Sequence, residues 1–121
     1  MPSVPPFLEE LAARGEEPLL RDVNGTIRFD LRSGAEVDPW TLAIAEGAIS
    51  MTHRKLSADC VAAMDEDTFG SITSGATNAL AAALRGEIEL SGDPAILLAF
   101  ERIFPGPPLD DRRRTQAVGG S

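Results

Sequence analysis

The chain has no tyrosine, one tryptophan, one histidine and one cysteine in 121 residues. One cysteine excludes an internal disulfide, so a reducing compartment is expected. One histidine and no Cys/His cluster exclude a histidine-rich metal site within the chain. Positive charge is also short: 11 Lys and Arg stand against 19 Asp and Glu, a net charge of -8. That balance excludes a basic face for nucleic acid and leaves at most transient contact with anionic membranes. No apolar run approaches the ~20 residues of a membrane helix. The N-terminus has neither a basic n-region nor an apolar h-region, so no secretory leader is expected and the location is read as cytoplasmic. Glycine-rich phosphate loops and a GxSxG elbow are missing as well. No cofactor is expected.

What is present is aliphatic. Hydrophobic residues make up 43% and aromatics only 5%, so Leu, Ile, Val and Ala carry most of the apolar volume. Surfaces of that kind suit a ligand held by shape and greasiness rather than by many hydrogen bonds. The length fits one domain, placed at residues 1–108. Residues 109–121, with Asp110-Asp111-Arg112-Arg113-Arg114 and a Gly/Ser end, read as a disordered tail. The Arg112 to Arg114 run is a solvated charge cluster on this reading, not a phosphate or coenzyme A site.

Pro5-Pro6 opens a first helix with Phe7, Leu8, Leu11 and Ala12 on one side, and Gly15 stops it. This helix is expected to be short and loosely held, with Glu16 to Asp22 a polar connector. Thr26 to Arg32 alternates cleanly, putting Ile27, Phe29 and Leu31 on one face. Trp40, Leu42 and Ile44 repeat the pattern. A third strand runs from Ala48 to Arg54, with Ile49 and Met51 inward, and a fourth from Ala58 to Met64. Closely spaced strands with short loops imply an antiparallel meander. Asp65 caps a helix that carries Glu66 and Asp67 in its first turn, with Phe69 and Ile72 inward and Gly75 as its stop.

The stretch from Asn78 to Phe104 is the most consistent part of the chain. Thr77 or Asn78 caps a helix, Ala81, Ala82 and Ala83 favour it, and Gly86 ends it. Glu87-Ile88-Glu89-Leu90 alternates as a strand, Ser91-Gly92 turns, and Asp93-Pro94 starts the last helix, which Pro105 stops. The class is α+β: a five-stranded, mainly antiparallel sheet covered by helices.

Each candidate for chemistry has a plain structural reading. His53 lacks the partners of a metal or triad site. Cys60 falls in a strand with no basic neighbour, as an inert buried thiol would. Asp65, Glu66 and Asp67 are explained by helix capping. An enzyme is therefore not expected.

Ala58-Asp59-Cys60, Met64-Asp65-Glu66-Asp67, Phe69, Gly75, Leu84-Arg85-Gly86-Glu87-Ile88 and Ser91-Gly92-Asp93 together resemble the sterol carrier protein type 2 family. Their order and spacing carry the resemblance, which is densest from Ala58 to Pro107 and extends back to Val23. It implies a sheet and helices around an apolar tunnel that binds fatty acids, acyl-CoA, sterols or related lipids without metal or catalytic residues. The segment before Val23 is shorter than in many members. Gly119-Gly120-Ser121 also departs from the peroxisomal address of eukaryotic ones. The expected lining is Phe69, Ile72, Leu80, Leu84, Ile88, Leu90, Leu97 and Phe100, with Trp40 and Met51 from the sheet. On this basis Leu84→Asp is expected to abolish lipid binding, with unfolding as a second route to the same loss. The alternative is an accessory module that presents a hydrophobic intermediate to, or docks on, an enzyme of another chain.

Overall fold

The structure is a computed structural model and describes residues 5–104. Helix α1 is Pro6–Arg14, followed by a 3-10 turn at Pro18–Leu20. Strands β1 (Asn24–Ser33), β2 (Glu36–Ala45), β3 (Ala48–Thr52) and β4 (Cys60–Asp65) come next. Then follow α2 (Glu66–Thr73), α3 (Ala79–Leu84), β5 (Ile88–Gly92) and α4 (Ala95–Phe100). The expected tail, residues 109–121, and the helix stop at Pro105 lie outside the described residues.

The five strands form one sheet in the order β3-β2-β1-β4-β5. Three pairings are antiparallel, and β1 with β4 is parallel. The α+β class and the mainly antiparallel sheet stand, but the four-strand meander does not. After β3 the chain crosses the outer face of the sheet and returns beside β1. Two side chains hold that crossing. The Thr41 hydroxyl donates to the Arg54 carbonyl at 2.8 Å, and Arg28 Nη1 donates to the Leu56 carbonyl at 2.9 Å. Arg28 and Thr41 are register partners, so both anchors stand together. Alternation within a strand reveals its two faces but not its neighbour, which is why the crossover was hidden.

The period-2 pattern of β1 sets the core. Phe29 lies opposite Trp40 and Ala62, and Leu31 opposite Met64. Ile27, Phe29 and Leu31 are buried on this face, with Leu42, Ile44, Ile49 and Cys60. Phe29 meets Phe69 of α2 at 5.1 Å and Phe100 of α4 at 5.8 Å between ring centroids. Phe100 in turn reaches Phe104 at 6.3 Å, and Phe104 meets Phe7 of α1 edge-on at 5.2 Å. Five rings thus link the sheet to the first helix, each pair in the tilted or edge-on geometry that aromatic quadrupoles favour.

Helix α1 is better anchored than expected. Leu8 and Leu11 are fully buried. Gly15, in the left-handed region at φ 72°, closes the helix by donating to the Leu11 carbonyl. Its own carbonyl accepts from Ile49 N at 2.8 Å, and Glu17 N donates to the Gly47 carbonyl at 2.8 Å, tying the helix end to β3. The connector after it is not simply polar, since Leu20 is fully buried. Glu17, also buried, accepts from Leu19 N and from Arg14 Nη1.

Local chemistry differs from expectation at two more places. Asp65 stands at the start of α2, but its carboxylate caps no N–H of the helix. It accepts from Arg32 Nε at 3.1 Å instead, across the parallel pair. Ser91-Gly92 does not turn the chain; both residues belong to β5. Asn78 does cap α3, accepting from Ala81 N at 3.0 Å. Asp93 accepts from Ala95 N at 2.9 Å at the start of α4.

Candidate functional site

An open groove of about 580 Å³ runs between α1 and α2. Pro5, Pro6, Phe7, Glu10 and Arg14 form the α1 side, and Glu66, Phe69, Gly70, Thr73 and Ser74 form the α2 side. Ile103, beyond α4, borders it as well. Helical spacing makes each side: Phe7, Glu10 and Arg14 recur every three or four residues, as do Glu66, Phe69, Gly70 and Thr73. Phe69 is buried beneath the groove, while Phe7, Thr73 and Ile103 are half-buried along it.

Gly70 is the residue that keeps the α2 side low. A Cβ built there would meet nothing within 4 Å, so the space over it is empty. The Thr73 hydroxyl is engaged by its own helix, donating to the Phe69 carbonyl at 2.8 Å. Among the described residues no buried side-chain nitrogen or oxygen lacks a partner, so no unsatisfied buried polar group reaches into this space. The lining is largely apolar, with Thr73 and Ser74 the neutral polar side chains and Glu10, Arg14 and Glu66 the charged ones.

Of the ten residues expected to line an apolar space, Phe69 alone borders this groove. Trp40, Ile72, Ile88, Leu97 and Phe100 are buried in the common core, and Met51 is half-buried against it. Three of the expected lining leucines face outward: Leu80 is 49%, Leu84 81% and Leu90 37% exposed. Helix α3 is short, and Ala79 and Ala82 supply its buried side, so its large side chains are left in solvent. The groove-bordering residues Phe7 and Ile103 had signals in the sequence, as apolar positions of the first helix and of the last stretch. Gly70 and the rim charges Glu10, Arg14 and Glu66 had none, since their role depends on two helices that meet only in the fold.

The chemical candidates sit away from the groove. Cys60 is fully buried in β4, and desolvation pushes its thiol above its ordinary range, with Asp93 adding to the rise and a backbone hydrogen bond near Leu97 opposing it. A thiol in that state is a poor nucleophile. His53 stacks on Trp40 with centroids 3.9 Å apart and the rings 12° from parallel, and its Nε2 lies 3.6 Å from Asp38 Oδ1. No group of three or more His, Cys, Asp or Glu side chains that could hold a metal exists among the described residues. Nor is any helix there long and apolar enough to cross a membrane.

A sheet of this order with four helices and an apolar groove can be set beside known proteins. The sequence profile of the SCP-2 sterol transfer family matches residues 8–105. The chain belongs to the SCP-2 sterol transfer family. That match covers every strand and all of α2, α3 and α4, and places the sterol-carrier resemblance of the sequence on firm ground. Comparison with curated proteins finds no match by sequence. Among solved structures, palmitated SCP2L2 from Aedes aegypti is similar at 19% identity, over 85% of this chain and 95% of that one, with a TM-score of 0.62. The ubiquinone synthesis protein UbiJ-SCP2 is similar at 16% identity, over 82% and 87%, with a TM-score of 0.61. The sec-alkylsulfatase Pisa1 from Pseudomonas sp. shares 17% identity over 87% of this chain but only 17% of its own, with a TM-score of 0.68. These likenesses establish a shared fold.

Proposed function

We propose that this SCP-2 family protein binds a hydrophobic small molecule non-covalently in the groove between α1 and α2, and that it is not an enzyme. The observation that carries this reading is the groove and its lining: about 580 Å³ of open space bordered by Phe7, Phe69 and Ile103, with Gly70 leaving room above the helix. Such a volume lies within the ~300–1,000 Å³ common for small-molecule sites. Binding is driven by taking chain methylenes out of water, at about 0.8 kcal/mol each. Twelve carbons correspond to ~10 kcal/mol before ordering costs. The ligand classes implied by the family resemblance are fatty acyl chains, acyl-CoA, sterols and related lipids, in a cytoplasmic setting.

Mass spectrometry of the purified protein, native and then after organic extraction, tests the reading. A lipid recovered near one per chain supports it. An empty protein that also takes up no fatty alcohol, fatty acid or sterol contradicts it. We place the whole function in residues 1–108, so deleting residues 109–121 should leave uptake unchanged.

A second reading has its own support. The similarity to UbiJ-SCP2, named as a ubiquinone synthesis protein, favours an accessory role beside an enzyme of another chain, while in Pisa1 the similar part lies within the sulfatase's own chain. The exposed Leu80, Leu84 and Leu98 would be available to such a partner. An enzyme that co-purifies with the protein, and is released by charge substitutions at those leucines, would favour this role.

A further inference from the structure

The two edges of the sheet are finished differently. Strand β3 is closed by the end of α1 and its connector: Ile49 N donates to the Gly15 carbonyl, Glu17 N donates to the Gly47 carbonyl, and Glu16 bridges to Ala48. Strand β5, at the other edge, has no strand on its outer side among the described residues. Its two ends are tied inward, Glu87 N to the Ala82 carbonyl at 2.9 Å and Asp93 N to the Asp59 carbonyl at 2.8 Å. From Glu89 to Gly92 its residues are exposed. An edge of this kind presents main-chain donors and acceptors without a ladder partner, which is a template for strand addition.

The two faces of this edge differ in chemistry. Leu90 lies opposite Ala62 in register, on the core face, yet is exposed. Helix α3 packs beside β5 on that face, where Ala79, Ala82 and Ile88 join the common core. It leaves Leu80 and Leu84, one turn apart, in solvent. The outer face is acidic. Arg32 serves two carboxylates there, Asp65 at 3.1 Å and Glu89 at 3.3 Å, so a negative charge is left over beside the edge. Glu87 is matched by Arg85, whose Nε and Nη2 donate to it at 3.0 and 3.1 Å. Asp93 accepts from Ala95 N.

A second copy is a poor occupant of this edge. Two-fold antiparallel pairing centred on Glu89 sets Glu89 against its own copy, and pairing centred on Leu90 sets Glu87 against Asp93. Like charges directly opposed destabilise a strand pair, and each chain carries a net charge of -8. We propose instead that the β5 edge takes up an extended segment of a partner protein as a further strand, a segment that alternates basic with apolar residues. Its basic side chains meet Glu89 on the outer face, and its apolar ones meet Leu90 and the leucines of α3 on the other. This docking mode deepens the accessory reading above and is independent of the groove, whose lining includes no residue of α3 or β5.

Amide NMR spectra of the full chain, titrated with short synthetic peptides, test this. A peptide alternating lysine with valine should shift the amides from Ile88 to Gly92, and one alternating glutamate with valine should leave them in place. Added salt should weaken the lysine peptide. The surface variant E87K/E89K should bind it on the order of tenfold more weakly with ligand uptake unchanged. No shift at β5, equal binding of both peptides, or unchanged affinity in E87K/E89K with native-like circular dichroism would overturn the proposal. Sedimentation as a dimer with the β5 amides protected from exchange would overturn it too, by giving the edge to a second copy. An enzyme that co-purifies equally with the native chain and with E87K/E89K would leave the accessory reading standing and remove β5 as its docking edge.

Discussion

Cys60 shows how one side chain links burial to pH. Its thiol is pushed up by desolvation, so the folded protein holds the proton over a range where the unfolded chain releases it. For a group raised in the folded state, stability is complete below the unfolded value and declines as pH rises through the folded one. The native protein should therefore lose stability above about pH 8.5, and Cys60→Ala should remove that part of the loss. Urea melts of both proteins from pH 7 to 10 measure it, and equal alkaline slopes would contradict the assignment. Leu84 makes the opposite point. The family resemblance suggests a wall position for it, but at 81% exposure Leu84→Asp should change stability by less than about 1 kcal/mol and leave ligand uptake as it was. Leu84→Asp would abolish binding only if α3 buried its leucines, and it buries Ala79 and Ala82 instead.

At the scale of elements, the strands were legible because alternation writes directly onto a two-faced sheet. Ile27, Phe29 and Leu31 could be assigned to the core from spacing alone. Helices of six residues could not be treated that way, because so few positions do not define a face. The parallel placement of β4 was hidden too, since it depends on the Arg28 and Thr41 anchors far from β4 in sequence. Ser91-Gly92 has the composition of a turn, but in β5 its glycine serves a close approach. Gly92 sits at φ 84°, and a Cβ there would overlap the Asp59 carbonyl. Gly92→Ala should cost at least about 2 kcal/mol and lower Tm by about 10 °C, read by thermal melting. Helix α1 makes one side of the groove and depends on Leu8 and Leu11. Leu11→Ala should cost about 2–5 kcal/mol, and its loss of stability should be accompanied by weaker ligand uptake.

At the scale of the molecule, the family and the α+β class could be read in the sequence, and the place where a ligand would sit could not. Apolar periodicity marks what is buried, and a well-packed interior and a binding site are both made of buried apolar groups. The Phe29, Phe69 and Phe100 cluster fills space beneath the helices, and an apolar-lined groove lies where α1 and α2 part. Gly70 locates that room, and so offers the most direct test of the account. Gly70→Leu adds a side chain into empty space and replaces glycine inside a helix, which should leave Tm equal or higher. Titration of the native and Gly70→Leu proteins with a fluorescent fatty alcohol is the measurement. The account predicts at least about a tenfold loss of affinity in a variant that melts no lower than the native protein. Unchanged affinity in that folded variant would contradict the claim that the groove between α1 and α2 is the binding site.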